Sequence, residues 1–80
     1  MNDDTSMRVL NVIDDICSQR PAPDTKLKDL PMDSIDRVDM VMRIETDFNI
    51  VIDDDEAEAF KTVHDVVQCV RSCLEKQKHK

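Results

Sequence analysis

Ser34 is the residue best placed to carry chemistry. It stands in Asp33-Ser34-Ile35, where a helical apolar pattern begins. A serine at a helix start presents its hydroxyl at the domain edge, within reach of an enzyme. The helix N-terminus adds free N–H groups and partial positive charge, which favour a phosphate group on that oxygen. A serine there is also an ordinary N-cap, and the two roles are compatible in part. No nucleophile–base arrangement accompanies it, because neither His64 nor His79 has a nucleophile at a recognisable spacing. No catalytic residue is assigned.

Other clusters are less informative. Cys17, Cys69 and Cys73 are odd in number, and C-x-x-x-C is neither a redox nor a zinc spacing. They read as small apolar packers in a reducing compartment. The run Asp53-Asp54-Asp55-Glu56 has no glycine and no distant glutamate, so it lacks the pattern of a calcium loop. No metal site is expected.

The elements that must position Ser34 follow from apolar spacing. Helix one is predicted from Thr5 or Ser6 to Gln19, with Met7, Leu10, Ile13 and Cys17 as its stripe and Val9, Val12 and Ile16 widening it. Pro21 and Pro23 end it. Residues 21–33 form a long loop whose apolar contacts are Leu27, Leu30 and Met32. Helix two runs from Asp33-Ser34 to near Asp47, with Ile35, Val38, Val41, Met42 and Glu45 on adjoining turns and Met40, Ile44 and Phe48 alongside. Such broad apolar coverage suits a central helix. Asn49 to Ile52 is an extended connection. Asp53 or Asp54 caps a short third helix through about Phe60, with acids in its first turn suiting the dipole. Thr62 with Asp65 three residues later resembles a capping box. Val63, Val66, Val67, Val70, Cys73 and Leu74 then give the last helix its apolar face. The tail from Glu75 to Lys80 is polar and frays. Met40, Met42, Val38, Phe48, Ile52, Phe60 and Val66 are expected in the core.

Eighty residues make one domain, 1–80, with a net stability of about 3–5 kcal/mol. There is no Gly, Trp or Tyr, and the only aromatics are Phe48 and Phe60. This disfavours a hairpin-rich fold. The expected class is all-α: a small four-helix bundle with a long loop between helices one and two and a short third helix. A net charge of −7 argues against nucleic acid and anionic membranes, and it would steer in a basic protein partner. No stretch has membrane-spanning length, and Met1-Asn2-Asp3-Asp4 does not read as a signal peptide. No heptad seam is evident, so a monomer is expected.

The segment from Leu30 to Phe48 resembles the acyl carrier protein family. Asp33-Ser34-Ile35 matches the family's Asp-Ser-Leu, and Asp36, Val38, Asp39, Val41, Met42, Glu45 and Phe48 stand in the expected places. Ile50, Ile52, Asp54, Glu56, Ala57 and Glu58 extend the likeness, and Thr62-Val63 opens the last helix as in the family. The resemblance covers roughly Leu27 to Val70. Two departures occur: Pro31 replaces the usual Gly, and Ile35 replaces Leu, a swap that conserves volume.

The resemblance implies that Ser34 carries 4'-phosphopantetheine, donated by coenzyme A, with Asp33 and Ile35 as motif neighbours. The arm would hold acyl chains as thioesters, making the protein a carrier and not an enzyme. Between Asp33 and Glu58 ten acids face only Arg37 and Arg43. A charge run is often just a solvated face. The family likeness implies a docking surface for basic patches on partner enzymes, with Asp36, Asp39 and Glu45 foremost and Glu56 and Glu58 supporting. The implied partners are a phosphopantetheinyl transferase (holo-carrier synthase) and the enzymes of a dissociated, type II fatty acid synthase. A peptidyl or polyketide carrier is the alternative, as is a mitochondrial carrier serving as a structural subunit of respiratory or iron–sulfur assemblies. The compartment is cytoplasm for a bacterial source, and mitochondrial matrix or plastid for a eukaryotic one. The family also implies that helices two to four shelter the acyl chain.

Overall fold

The computed structural model describes residues 4–78. Four helices and one short 3-10 turn follow in order: α1 (Asp4–Cys17), the turn (Leu27–Asp29), α2 (Ser34–Phe48), α3 (Asp54–Ala59) and α4 (Val63–Lys78). Among the described residues no strand forms; one antiparallel bridge joins Lys26 to Thr62. The all-α expectation holds, with the long loop and short third helix in place. The tail expected to fray from Glu75 instead continues α4 through Lys78, and His79 and Lys80 lie outside the described residues.

One core ties the helices together. α1 supplies Val9, Ile13 and Cys17, and α2 supplies Met40, Ile44 and Phe48. α4 adds Val63, Val66, Val67 and Val70, and the connections add Leu27, Leu30, Ile50, Ile52 and Phe60. No polar or charged residue is buried among those described. Burial of apolar surface at about 25 cal/mol per Å² is therefore the main stabilising term.

Three expectations need correction. α1 ends at Cys17 and not Gln19: Ser18 takes a left-handed conformation (φ 59°), and its N–H reaches the Asp14 carbonyl at 2.7 Å. That turn releases the chain before Pro21. Met7 is half-exposed, because the inward stripe of α1 centres on Val9 and Ile13. Val38 and Met42 are not core; they are 58% and 59% exposed on the outer side of α2.

The loop from 18 to 33 is ordered by local bonds. Leu27 and Leu30 are buried, and Leu27 N–H reaches the Lys61 carbonyl at 2.8 Å. Met32 N–H bonds the Leu30 carbonyl at 2.7 Å, a three-residue turn centred on Pro31. Such a turn wants φ near −75°, which the proline ring already supplies. Leu30 is extended (ψ 152°), as a residue before proline prefers. Proline in place of the family's glycine is thus accommodated without strain.

Asn49 ends α2 in the left-handed region (φ 58°), a conformation asparagine tolerates. Ile50 and Ile52 then point inward while Val51 points out. Asp53 stands at the N-cap of α3, as expected, but its side chain makes no capping bond there. At α4 the expected capping box is present. Thr62 Oγ1 accepts from Asp65 N–H at 3.2 Å, and Asp65 Oδ2 accepts from the N–H groups of Thr62 (3.2 Å) and Lys61 (2.9 Å). Those two backbone bonds hold the Asp65 carboxyl below its ordinary range.

Candidate functional site

Asp33, not Ser34, caps α2. Its Oδ1 accepts from Asp36 N–H at 2.9 Å, and Asp36 Oδ2 accepts from Asp33 N–H at 3.4 Å. This is a capping box closed by two acids. Ser34 is the first helical residue and is exposed. Its hydroxyl makes no hydrogen bond among the described residues, so it has no structural duty that a modification would disturb. The N–H groups of Ser34 and Ile35 belong to the first turn and have no intrahelical carbonyl to bond. Ser34 therefore offers a free oxygen beside free donors.

A groove of about 430 Å³ opens next to Ser34 between α2 and α3. Val38, Val41, Ile52 and Ala57 form its apolar wall, with Glu45 and Glu58 on its rim. The volume is within the range of small-ligand sites. An arm attached to Ser34 and carrying an aliphatic chain fits such a groove: a polar attachment point with open N–H groups leads into an apolar cleft.

Three polar bonds hold the groove's far side. Glu45 Oε2 accepts from Ile52 N–H at 2.7 Å, tying the α2–α3 connection to α2. Arg37 Nη2 donates to the carbonyls of Ala57 (3.3 Å) and Phe60 (3.1 Å). It thereby satisfies the C-terminal end of α3 with a cation, as the helix dipole favours. α3 itself buries no residue completely.

The five expected docking acids do not share one side: Asp36 and Glu45 fall about 180° apart around α2, Asp36 toward Cys17 and Glu45 toward Ile52, and the five differ in freedom. Asp36 is engaged in the capping box. Asp39 pairs with Arg43 at 3.2 Å, and Arg43 also reaches Asp15 of α1. Glu45 is the clamp just described. Glu56 Oε1 lies 3.9 Å from Cys69 Sγ. Glu58 is exposed and makes no polar contact among the described residues. Sequence reasoning missed the apolar surface of α2. Ile35, Val38 and Met42 form a solvent-facing stripe along α2, and Val51 lies exposed beyond it. The signal was available: at 100° per residue, these three residues fall roughly opposite Met40, Ile44 and Phe48. One helix with two apolar stripes has one more than its core requires.

Cys17 and Cys69 are inert by environment. Burial pushes the Cys17 thiol up, with Asp36 and Asp14 adding to it. Burial also pushes Cys69 up to about 12, helped by Glu56 and Cys73. Such thiols stay protonated near neutral pH and are poor nucleophiles. Among the described residues no cluster could hold a metal ion, and no helix is long and apolar enough to cross a membrane.

Comparison with known proteins agrees with this geometry. The chain is 47% identical over 45 residues to an acyl carrier protein of Rickettsia canadensis, covering 56% of this chain and 52% of that protein. It thus spans about half the length of that relative. It is 42% identical over 52 residues to an acyl carrier protein of Clostridium perfringens, covering 65% and 68%. Its fold is similar to the crystal structure of an acyl carrier protein from Thermotoga maritima. That match has a TM-score of 0.78 and 25% identity, and it covers 95% of this chain and 98% of the other. The family model described as "Phosphopantetheine attachment site" matches residues 7–70. This span takes in α2, the α2–α3 groove and the first half of α4, and the chain belongs to the phosphopantetheine attachment site family.

Proposed function

We propose that Ser34 is the attachment residue and that the domain, acting as one unit, is an acyl carrier for dissociated fatty acid synthesis. A domain of this family is a carrier and not an enzyme, and its prosthetic group is 4'-phosphopantetheine, covalently attached. When bound, that group supplies a thiol on which acyl chains are held as thioesters. The observation that carries the reading is the free Ser34 hydroxyl at the start of α2, released from capping by Asp33 and facing the groove. Ser34 and Ile35 N–H groups would hold the phosphate, and Val38, Val41, Ile52 and Ala57 would cover the chain.

Glu58 and the Ile35–Val38–Met42 stripe are available to a partner, whereas Asp36, Asp39 and Glu45 already have internal partners. A synthase enzyme with a basic patch around an apolar hollow would match this face. Charge would set encounter rate and salt sensitivity, and the apolar stripe would supply the area removed from water. The transferase that loads Ser34 would use the same face.

The test is intact mass after incubation with coenzyme A, magnesium and a broad-specificity phosphopantetheinyl transferase. The native chain is expected to gain one phosphopantetheine, and Ser34→Ala none. Failure of a folded sample with both this transferase and one from the native source would overturn the reading.

A further inference from the structure

A second cavity, of about 460 Å³, lies on the other side of Arg37. Lys26, Leu27, Lys28, Arg37, Phe60, Lys61 and Thr62 line it. In a chain of net charge −7, every charged residue of this lining is a cation. Leu27 and Phe60 are buried and form the floor, while the three lysines are exposed. The bridge between Lys26 and Thr62 and the bond from Leu27 N–H to the Lys61 carbonyl bring the two lysine-bearing segments together.

None of the three lysine side chains has an ion-pair or hydrogen-bond partner among the described residues. Arg37 uses only Nη2, on the Ala57 and Phe60 carbonyls, so its other N–H groups remain open. Asp29 adjoins Lys28 and is exposed without lining the cavity, and the acid bonded into this corner is Asp65. Its Oδ2 is occupied by the Lys61 and Thr62 N–H groups. Glu58 and Asp54 rim the neighbouring groove and not this cavity.

Arg37 borders both spaces. It follows Ser34 by three residues, an axial rise of about 4.5 Å. An arm that starts at Ser34 and lies in the α2–α3 groove therefore runs beside Arg37, the one residue that lines both that groove and the cationic cavity. An apolar floor beneath a cationic rim suits an aliphatic chain that ends in a carboxylate. Methylenes would cover Leu27 and Phe60, and the carboxylate would meet lysine ammonium groups and the Arg37 fork.

We propose that this cavity receives the carboxylate end of a dicarboxylic acyl chain tethered through Ser34, so that the carrier distinguishes carboxylate-ended from plain aliphatic cargo. The inference rests on the carrier reading of Ser34.

The experiment compares adipoyl and hexanoyl cargo, which have equal carbon number and differ in the terminal carboxylate. Each is loaded onto the full chain from its coenzyme A thioester by a broad-specificity transferase, and loading is verified by intact mass. Amide spectra are then compared. The adipoyl form is expected to shift Lys26, Leu27, Lys28, Lys61 and Thr62, and the hexanoyl form to shift Val41, Ile52 and Ala57 instead. A Lys26→Gln, Lys61→Gln double variant, changed only at exposed side chains, is expected to lose at least half of the adipoyl-specific shift with its helix content unchanged. Salt at 1 M, where the screening length is about 3 Å, is expected to do the same. Loading with indistinguishable spectra would overturn the cavity assignment and leave the carrier reading intact. Failure to load would remove both. Equal shifts from free adipate, added at protein concentration to Ser34→Ala, would show a site for diffusing carboxylates and overturn the tethered role.

Discussion

Along α2 one side is closed against α1, and the other is left open toward α3. On the closed side, Arg8 stacks over the Phe48 ring at 4.2 Å and donates to the Asp47 carbonyl at 2.8 Å and to Asp47 Oδ2 at 3.2 Å. Arg43 reaches across to Asp15, and Met40, Ile44 and Phe48 are buried beneath. On the open side, α3 buries no residue completely; it is anchored by the buried Ile52 and Phe60 at its two ends and by the Glu45 and Arg37 bonds. Single exposed ion pairs contribute at most about 1 kcal/mol, so the closed side owes its strength to burial. The contrast separates two tasks. A packed frame fixes where α2 begins and hence where Ser34 stands. A thinly packed face beside Ser34 can repack around a chain. Segments with few buried contacts open at low free energy.

Two methionines on the same helix make the sharpest probe of this division, and Met40 gives the larger effect. It is fully buried, so Met40→Ala is expected to cost about 2–5 kcal/mol. That is most or all of the stability of a domain this size, about 3–5 kcal/mol. Chemical denaturation of the variant would show it. A variant that keeps its midpoint would mean that the inner side of α2 does not carry the frame.

Glu45 tests the open side. A hydrogen bond to a charged group is worth about 1.5–3 kcal/mol, and partial exposure reduces this. Glu45→Ala is expected to destabilise by about 1 kcal/mol and to act locally. Hydrogen exchange should quicken at Ile52 and through α3, while Val9, Ile13 and Val66 keep their protection. Uniform loosening of all helices would erase the distinction between frame and face.

Most of the frame was readable from sequence, because burial there follows periodicity. Val63, Val66, Val67 and Val70 repeat at helical spacing and are buried, and the Thr62–Asp65 box was legible from two residue types three apart. Ser34 was readable too, though its neighbour's role was not. Which of Asp33 and Ser34 caps the helix depends on backbone angles one residue apart, and both types are good caps. The open face was harder. Val38 and Met42 have core-like side chains, and periodicity alone does not say which of two stripes meets α1. Glu45 and Arg37 looked like members of a charged surface, because their partners are backbone groups of Ile52, Ala57 and Phe60, which no residue pattern marks.

The α4 cap gives a pH-dependent probe of the frame. The Lys61 and Thr62 N–H bonds lower the Asp65 carboxyl from its ordinary value of about 3.9. The folded state therefore prefers the ionised form. Its contribution is fully present above the ordinary value and is lost as pH falls through the lowered one. Asp65→Asn keeps an acceptor but removes the titration. The stability gap between native and variant is expected to narrow below about pH 4, as read by thermal midpoints across pH 2–7. A gap unchanged over that range would mean that the carboxylate is not favoured by folding.

Met42 carries the smallest expected effect on stability and sharpens the comparison most. Its side chain is 59% exposed, whereas Met40, two residues earlier, is 0% exposed. Truncation to alanine leaves no cavity at the outer position, and alanine is the better helix former. Met42→Ala is therefore expected to move stability by no more than about 0.5 kcal/mol. Binding to a partner enzyme should respond instead, since the Ile35–Val38–Met42 stripe loses apolar area there. A measured Kd that rises severalfold while the denaturation midpoint stays fixed would assign the stripe to recognition. A midpoint that falls as far as that of Met40→Ala would place Met42 in the frame, and the two sides of α2 would no longer be distinct.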